Sequence, residues 1–458
     1  MREKLPPGPP PLPRIIQAAV FLRYWPRFVE ACRQRYGSVF TLQMSGLGTV
    51  VYLDDPADIK VVFAGDPALY HAGEANSVLA GLLGRSSVLV IDEDVHKYRR
   101  HLMLAPFQHK AVAGNVGLMT DIAANNIAKW PVGKEFPASS RMSEITLEVI
   151  LRIVVGATDP TRLAELRAVL RQLLTVNSWN VIAFAKPELQ QRFPWRTVRR
   201  QLATANRLLY AEIAERRADP HLAERTDALA MLIRATDEDG RSMSDNELRD
   251  QLITLLVAGH DTTATGLSWA LERLTRHPDV LAKAVAAADA SAAGDPAGDE
   301  YLDAVCKETL RIRPVVFDVG RILTRPVEFG GYHLPAGVMV APGVGLVHAD
   351  PAVYPDPDRF DPDRMVGATL SPTTWLPFGG GNRRCLGATF AMTEMRVVLR
   401  QILLDVELDT TTARDERQHV RHVILSPSRG ARIRVRAHRQ LSASNSVSAS
   451  SSTVTAMP

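Results

Sequence analysis

The ten residues F-G-G-G-N-R-R-C-L-G, numbered 378–387, form the most specific pattern in the chain. Within them, Cys385 follows Arg383 and Arg384 and precedes a predicted helix that begins near Ala388. Cationic neighbours and a helix N-terminus both favour the thiolate form of a cysteine. A thiolate is a strong metal ligand, and the surrounding glycines let a flat ligand approach the backbone closely. The stretch therefore predicts a metal ligand at Cys385.

The other two cysteines, Cys32 and Cys306, lie far from Cys385 and from each other. An odd number of widely spaced cysteines argues against a disulfide framework and fits a reducing cytoplasm. A lone cysteine most often behaves as a small buried apolar side chain. We expect that behaviour of Cys32 and Cys306.

The composition is that of an ordinary globular protein. The chain has 458 residues, of which 46% are hydrophobic and 23% charged, and this excludes a disordered, collagen-like or disulfide-scaffold protein. The net charge is +4, and the arginines are scattered among acidic residues, so we predict no nucleic-acid partner. Residues 251–271 are mostly apolar, but several Thr, Ser and His side chains among them favour a buried helix over a membrane span.

Composition also suggests three segments. Residues 1–13 are a proline-rich lead and 441–458 a tail of mostly Ser, Ala, Thr and Val that is predicted to be disordered, which leaves 14–440 as the globular part of the chain. The apolar run at 15–22 is too short for a transmembrane anchor, and no secretory signal is expected. Helical periodicity dominates from about 140 to 288. Alternation at 432–436 predicts an edge strand with its arginines facing outward.

The stretch around Cys385 resembles the haem-ligand loop of the cytochrome P-450 superfamily, the haem-thiolate monooxygenases. The shared pattern F-x-x-G-x-R-x-C-x-G is met at Phe378, Gly381, Arg383, Cys385 and Gly387. The resemblance extends from about residue 5 to residue 436. It implies a mainly α fold with small β-sheets, a single triangular domain and a buried haem b whose iron is bound by Cys385. Phe378, Arg383 and Gly387 would contact the cofactor.

A second motif, A-G-H-D-T-T at 258–263, lies within a long predicted helix. Gly259 in a helix interior and a buried Asp261 both cost free energy, which suggests a functional reason for them. The motif resembles the family's oxygen-activation helix, which is locally widened over the haem. By that resemblance Thr262 would position dioxygen and a water molecule, and Asp261 would deliver protons. The alternative is that both side chains only hydrogen-bond nearby backbone.

The third element is E-x-x-R at Glu308 and Arg311, which alone is typical of a surface ion pair. A second copy at Glu30 and Arg33 is interpreted as such a pair. Only the first copy is followed by P-D-R-F at 357–360, as in the family. The resemblance therefore predicts a buried network of Glu308, Arg311 and Arg359 that supports the cysteine loop.

Haem carries two propionates, so cationic residues should converge on it. His96 and Arg100 share one helical face, and the resemblance places both near a propionate, together with Arg321 and Arg383. The alternative for His96 and Arg100 is a solvated helix surface. Arg384 and other basic residues near the loop would instead face an acidic electron donor.

The function implied by the resemblance is oxygen-dependent hydroxylation of a small lipophilic molecule, such as a fatty acid, terpenoid or steroid-like compound. No flavin or nicotinamide motif is found, so electrons would come from a ferredoxin and its NAD(P)H-dependent reductase. We expect a cytoplasmic monomer. Family analogy places substrate contacts at 70–89, 179–193, 258, 315–319 and 424–425, and Asp318 would select a polar or cationic group. The alternatives are a peroxide-using or isomerising haem-thiolate enzyme and a non-enzymatic haem sensor or lipid carrier.

Overall fold

The computed structural model describes residues 5–10, 13–157, 159–174, 184, 187–191, 195–421 and 424–439. The predicted tail at 441–458 lies outside these residues, as do positions 1–4, 11 and 12 of the proline-rich lead. Helices make up most of the described chain. They are α1 Arg14–Tyr24, α2 Arg27–Tyr36, α3 Pro56–Ala64, α4 Ala72–Ala75, α5 Ala80–Leu83, α6 Glu93–Leu102, α7 His109–Ala113, α8 Val116–Ile127, α9 Ala138–Ile150, α10 Pro160–Leu174, α11 Arg196–Ala218, α12 Ala228–Arg234, α13 Asp245–Arg276, α14 Pro278–Ala292, α15 Pro296–Ile312, α16 Val344–His348 and α17 Ala388–Asp405.

The central element is α13, which is 32 residues long and buried along most of its length. A capping box fixes its start, because Ser244 Oγ accepts from the Glu247 backbone and Glu247 accepts from the Ser244 backbone. Gly266 allows close packing against α17, since a Cβ there would lie 3.0 Å from Met395 Cε. Helices α13 and α17 are thereby held side by side, and α17 begins three residues after Cys385.

The strands form small sheets. They are β1 Val39–Met44, β2 Gly48–Leu53, β3 Tyr70–His71, β4 Glu135–Pro137, β5 Arg321–Leu323, β6 Val327–Phe329, β7 Tyr332–Leu334, β8 Met339–Pro342, β9 Val406–Leu408, β10 Gln418–Arg421, β11 Ile424–Pro427 and β12 Arg432–His438. The largest sheet has the order β1-β2-β8-β5-β3. Alternate side chains of β2 enter two separate apolar clusters, with Val51 on one face and Tyr52 on the other.

Two details differ from the sequence predictions. Strand β12 is not an edge strand but the middle strand of the sheet β4-β12-β9, although its arginines face outward as predicted. Arg33 does not pair with Glu30. It instead bonds Asp54 and Asp350, at 2.5 and 2.9 Å, and so ties α2 to the end of β2.

The predicted fold class is confirmed: the protein is mainly α-helical with small sheets and forms a single domain. Most helices share one continuous apolar core, in which α13 packs against α9, α15 and α17. In the part of the chain that the structure describes, no helix combines the length and the apolar character needed to cross a bilayer.

Candidate functional site

The loop before α17 places Cys385 at the end of a tight glycine turn. The Cys385 backbone N–H donates to the Phe378 carbonyl at 2.8 Å. Gly381 has a φ of +65°, and a Cβ at this position would overlap with the carbonyl oxygen of Phe63 in α3. Both the backbone conformation and the close approach therefore require glycine. The turn is thus held between α3 and α17.

The Cys385 side chain is exposed, and a Cβ at the nearby Gly387 would meet nothing within 4 Å. Burial among protein groups raises the pKa of the Cys385 thiol, while the Gly387 N–H, Arg100 and Arg384 lower it. The cationic neighbours thus favour the thiolate as predicted, and burial opposes them. Coordination to a metal ion deprotonates such a thiol outright. The loop therefore offers an open sulfur ligand with hydrogen-bond and cationic support.

Four residues predicted to contact the cofactor lie close together. Arg383, Arg100 and Arg321 all lower the pKa of His96, which burial brings down to about 4. Burial also lowers the pKa of Arg321 and of Arg383 to about 10, and in Arg383 the ion pair with Asp92 opposes this effect. The guanidinium groups of Arg321 and Arg383 thus share the carboxylate of Asp92. The site carries excess positive charge that an anionic group would neutralise.

Two of these side chains lack partners. Within the described residues, neither the imidazole of His96 nor the guanidinium of Arg100 has a hydrogen-bond partner, although His96 is buried and Arg100 is half-buried. Among the residues that the structure describes, the guanidinium of the buried Arg321 donates only to the carbonyls of Gly320 and Val319, at 2.9 and 3.4 Å. Buried polar groups without partners cost free energy. A solvated helix surface is therefore wrong for His96, and the set is arranged to bind an anion.

The predicted Glu308–Arg311 pair is present and fully buried. Arg311 Nε and Nη2 donate to the two oxygens of Glu308, each at 2.8 Å. The third predicted member is wrong, because the Arg359 side chain is 70% exposed and only its carbonyl accepts from Arg311. Arg364 takes its place, with Nε 3.2 Å from the Glu308 carboxylate. Residue spacing in an irregular segment did not reveal which arginine points inward.

His348 connects this network to the cysteine loop and was not found from the sequence. Its Nδ1 lies 3.0 Å from the Arg311 carbonyl, and its Nε2 lies 2.9 Å from the backbone nitrogen of Leu376. Nε2 must accept the Leu376 hydrogen, so the ring is neutral and Nδ1 carries the proton. Burial and the charge of Arg311 lower the His348 pKa to about 3. Leu376 lies two residues before Phe378, so the network reaches the turn itself.

On α13, Thr262 Oγ1 donates to the Ala258 carbonyl at 2.7 Å and Thr263 Oγ1 donates to the Gly259 carbonyl at 3.0 Å. The helix widening implied by the resemblance does not interrupt α13, which is one unbroken α-helix. Ala258 is nevertheless exposed in the middle of this mostly buried helix. Asp261 forms an ion pair with Arg421 of β10. The motif thus combines an exposed position at Ala258, a Thr262 hydroxyl whose oxygen can still accept a hydrogen bond, and the partly buried carboxylate of Asp261.

His260, between these residues, faces away into the core. Its Nδ1 lies 2.8 Å from Thr146 Oγ1 and its Nε2 lies 3.2 Å from Ser143 Oγ, both in α9. Burial lowers its pKa to about 4. His260 therefore ties α13 to α9 as a neutral side chain. Its neighbours Asp261 and Thr262 can then face the opposite side.

Segments predicted to contact substrate meet near α13. The Leu425 N–H of β11 donates to the Val315 carbonyl, and Trp269 Nε1 of α13 donates to the Leu425 carbonyl, both at 2.8 Å. Residues 70–89 include α5, in which Gly81 packs against the backbone of Phe184. Most of the predicted stretch 179–193 lies outside the described residues. Helix α5 and strand β11 therefore each contact α13, with α5 near Arg249 and β11 at Trp269.

Comparison with known proteins identifies the family. A family model for cytochrome P450 matches residues 6–435. The chain belongs to the cytochrome P450 family. It is 68% identical to cytochrome P450 135B1 of Mycobacterium tuberculosis over 445 residues, which cover 97% of this chain and 94% of that protein. It is also 39% identical to cytochrome P450 138 of the same organism over 431 residues, covering 93% and 95%.

Solved structures agree with this assignment. The retinoic acid-bound cyanobacterial CYP120A1 has a TM-score of 0.80 at 25% identity, with 94% of this chain and 99% of that chain covered. The haem domain of cytochrome P450DA has a TM-score of 0.78 at 26% identity, with 96% and 98% covered. The predicted cofactor, haem b, and the predicted class of oxidoreductase, a haem-thiolate monooxygenase, are therefore confirmed.

The residues of this cytochrome P450 fit haem. The exposed Cys385 would hold the haem iron through its sulfur, and the space beside Gly387 leaves room for a flat group. The unpartnered His96 and Arg100, together with Arg321, match the two negative charges of the propionates. The donor set, one thiolate and several cations, is the chemistry that haem requires.

Proposed function

We propose that Cys385 binds the haem iron as a thiolate and that the enzyme hydroxylates a small lipophilic molecule. The observation that carries this proposal is a group of side chains beside the loop that carries the exposed Cys385: the imidazole of His96, which burial and the nearby guanidinium groups keep neutral, and the guanidinium groups of Arg100 and Arg321. Bound haem supplies the iron at which dioxygen is reduced and cleaved, and a thiolate ligand favours that cleavage by donating electron density. One oxygen atom enters the substrate as a hydroxyl and the other leaves as water, which consumes two electrons and two protons.

Each cofactor-binding residue has a distinct part in the proposal. Arg100, Arg321 and His96 would donate hydrogen bonds to propionate oxygens. Arg383 would add positive charge while its bonds to Asp92 and to the Ile91 carbonyl at 2.7 Å fix its position. Phe378 would pack beside the sulfur, since its carbonyl accepts the Cys385 N–H. The Gly387 N–H would donate to the sulfur and moderate its charge.

The two protons would pass through Asp261 and Thr262. Asp261 retains some exposure on α13 and forms an ion pair with Arg421. Thr262 is half-exposed, and its hydroxyl donates to the Ala258 carbonyl, so its oxygen remains free to accept a hydrogen bond from a water molecule. The Asp261 carboxylate would take a proton from solvent and pass it along that water.

Electrons would come from separate proteins, namely a ferredoxin and an NAD(P)H-dependent reductase. The exposed Arg384 beside Cys385 supports docking of an acidic donor at this face. The apolar segments around Val315 and Leu425 support a fatty acid, terpenoid or steroid-like substrate, and the retinoic acid bound to CYP120A1 is a lipophilic ligand of a relative. A cytoplasmic location and a monomeric state also remain predictions, which cell fractionation and light scattering would check.

The test is coupled turnover of the holoenzyme with ferredoxin, its reductase and NADPH, comparing Thr262→Ala with Thr263→Ala. Thr263 makes the same bond to a carbonyl four residues earlier but is buried, so it is a matched control. We expect Thr262→Ala to lose most hydroxylated product and to release hydrogen peroxide, whereas Thr263→Ala keeps its coupling. Full activity of Thr262→Ala with peroxide alone would instead identify a peroxide-using enzyme. Substrate binding without any product would identify a sensor or carrier.

A further inference from the structure

A buried acid–tyrosine pair lies between the large sheet and the cysteine loop. The Tyr52 hydroxyl of β2 donates to Asp318 Oδ2 at 2.6 Å, although the two residues are 266 positions apart. The Tyr52 ring stacks on Phe40 with centroids 5.3 Å apart, within an apolar cluster. In the part of the chain that the structure describes, Tyr52 is the one hydrogen-bond partner of Asp318. Part of the Asp318 surface remains accessible, so its second carboxylate oxygen is free.

The neighbours of Asp318 place it beside the substrate-binding segments. Phe317 packs on Phe21 and Trp25 of the N-terminal region, with ring centroids 5.4 and 5.6 Å apart. Val319 Cγ1 lies 3.6 Å from the position that a Cβ of Gly379 would occupy in the cysteine loop. Asp318 therefore lies in the segment between Val315, whose carbonyl accepts from Leu425 of β11, and Arg321, one of the arginines near the cysteine loop. One side of this segment touches the loop that carries the sulfur, and the other touches aromatic rings.

The charge of Asp318 is not balanced by the protein. Burial raises the pKa of Asp318 to about 6, and the Tyr52 hydrogen bond lowers it only partly. The carboxylate form therefore prevails at pH 7. Within the described residues, no Arg, Lys or His side chain pairs with it, whereas Glu308 and Asp92 each bind an arginine. An ionised carboxylate in an apolar site is stabilised by a cation at hydrogen-bond distance.

We propose that Asp318, oriented by Tyr52, binds a positively charged nitrogen of the substrate, so that the preferred ligands are lipophilic ammonium compounds. This inference rests on the proposed monooxygenase function and narrows its substrate class. The Tyr52 hydroxyl occupies one carboxylate oxygen and leaves the other to the ligand. A fatty-acid carboxylate would be repelled by the same charge.

The test uses three ligands of equal chain length on the ferric holoenzyme: decyltrimethylammonium, decanol and decanoate. The trimethylammonium group has no lone pair and so cannot bind the iron directly. Isothermal titration calorimetry measures affinity, and the Soret spin-state shift reports binding near the haem. We expect the ammonium ligand to bind about 30-fold or more tightly than decanol, the range for a charge pair in a partly buried site, and decanoate to bind most weakly.

Two variants locate the source of the preference. Asp318→Asn keeps the size of the side chain and removes its charge, and we expect the affinity for decyltrimethylammonium to fall about 30-fold while that for decanoate rises. Tyr52→Phe keeps the charge, so the ammonium preference should survive. A gain in decanoate affinity cannot arise from misfolding, which makes the result independent of stability losses.

The outcomes separate this inference from the proposed function. Equal wild-type affinities for the ammonium compound and decanol, or an Asp318→Asn affinity unchanged from wild type, would overturn the cation site even in a fully active enzyme. Wild-type protein without the red-shifted carbon monoxide band of thiolate ligation would instead overturn the haem-ligand proposal. A tight ammonium ligand that leaves the Soret band unchanged would place the cation away from the haem and would also overturn the substrate assignment.

Discussion

Replacing His348 by leucine tests whether the buried Glu308–Arg311 network supports the cysteine loop. The substitution keeps an apolar body of similar size but leaves the Arg311 carbonyl and the Leu376 N–H without partners, which are now 3.0 and 2.9 Å from the ring. Each unsatisfied buried group costs about 1–3 kcal/mol. The free energy of unfolding should therefore fall by roughly 2–6 kcal/mol. Because Leu376 precedes the turn, the haem should also be held less firmly.

Urea unfolding of the holoenzyme, followed by circular dichroism and by the Soret band, measures both effects. The matched control is His419→Leu, since His419 is exposed and its ring has no role in the site. That change should alter the unfolding free energy by less than about 0.5 kcal/mol. A His348→Leu enzyme that unfolds like the control and retains its haem equally well would refute the connection between the network and the loop.

Three further predictions follow from the structure. Arg364→Ala should destabilise the protein by about 2 kcal/mol because the buried Glu308 loses one of its two arginine partners, whereas the exposed Arg359→Ala should cost less than about 1 kcal/mol in urea unfolding. Gly381→Ala should cost about 2–4 kcal/mol and release haem, while Gly367→Ala, with the same φ of +65° but no close contact, should cost about 1 kcal/mol. His260 is neutral when folded, with a pKa of about 4, so unfolding takes up its proton below pH 6.5. The unfolding free energy should fall between pH 6.5 and 4 by up to about 1.4 kcal/mol per pH unit, and His260→Gln should reduce that slope.

The cysteine loop could be predicted from the sequence because its geometry allows few residue types. A turn with positive φ pressed against Phe63 requires glycine, and a sulfur ligand at a helix start requires cysteine, so the pattern itself is specific. The helical fold class followed from periodicity over long segments. These features depend on local sequence.

The features that the sequence did not predict depend on contacts between distant segments. The direction of Arg359 and Arg364 is set by an irregular stretch with no periodicity, and His348 meets Leu376 only through the tertiary fold. Burial raises the pKa of Cys385 and nearby cations lower it, and the sequence does not show how strongly each acts. Strand β12 became a central strand because two segments far away in sequence pair with it. The sequence indicates a polar group at Asp318 but does not show that Tyr52 is its partner.

The carbon monoxide difference spectrum of the reduced protein tests the central claim most directly. Wild type, Cys385→Ser, Cys32→Ser and Cys306→Ser would be compared at equal haem content. The account predicts the red-shifted band of thiolate ligation in wild type and in both controls, and its absence from Cys385→Ser. A Cys385→Ser protein that keeps this band would contradict the assignment of Cys385 as the haem ligand.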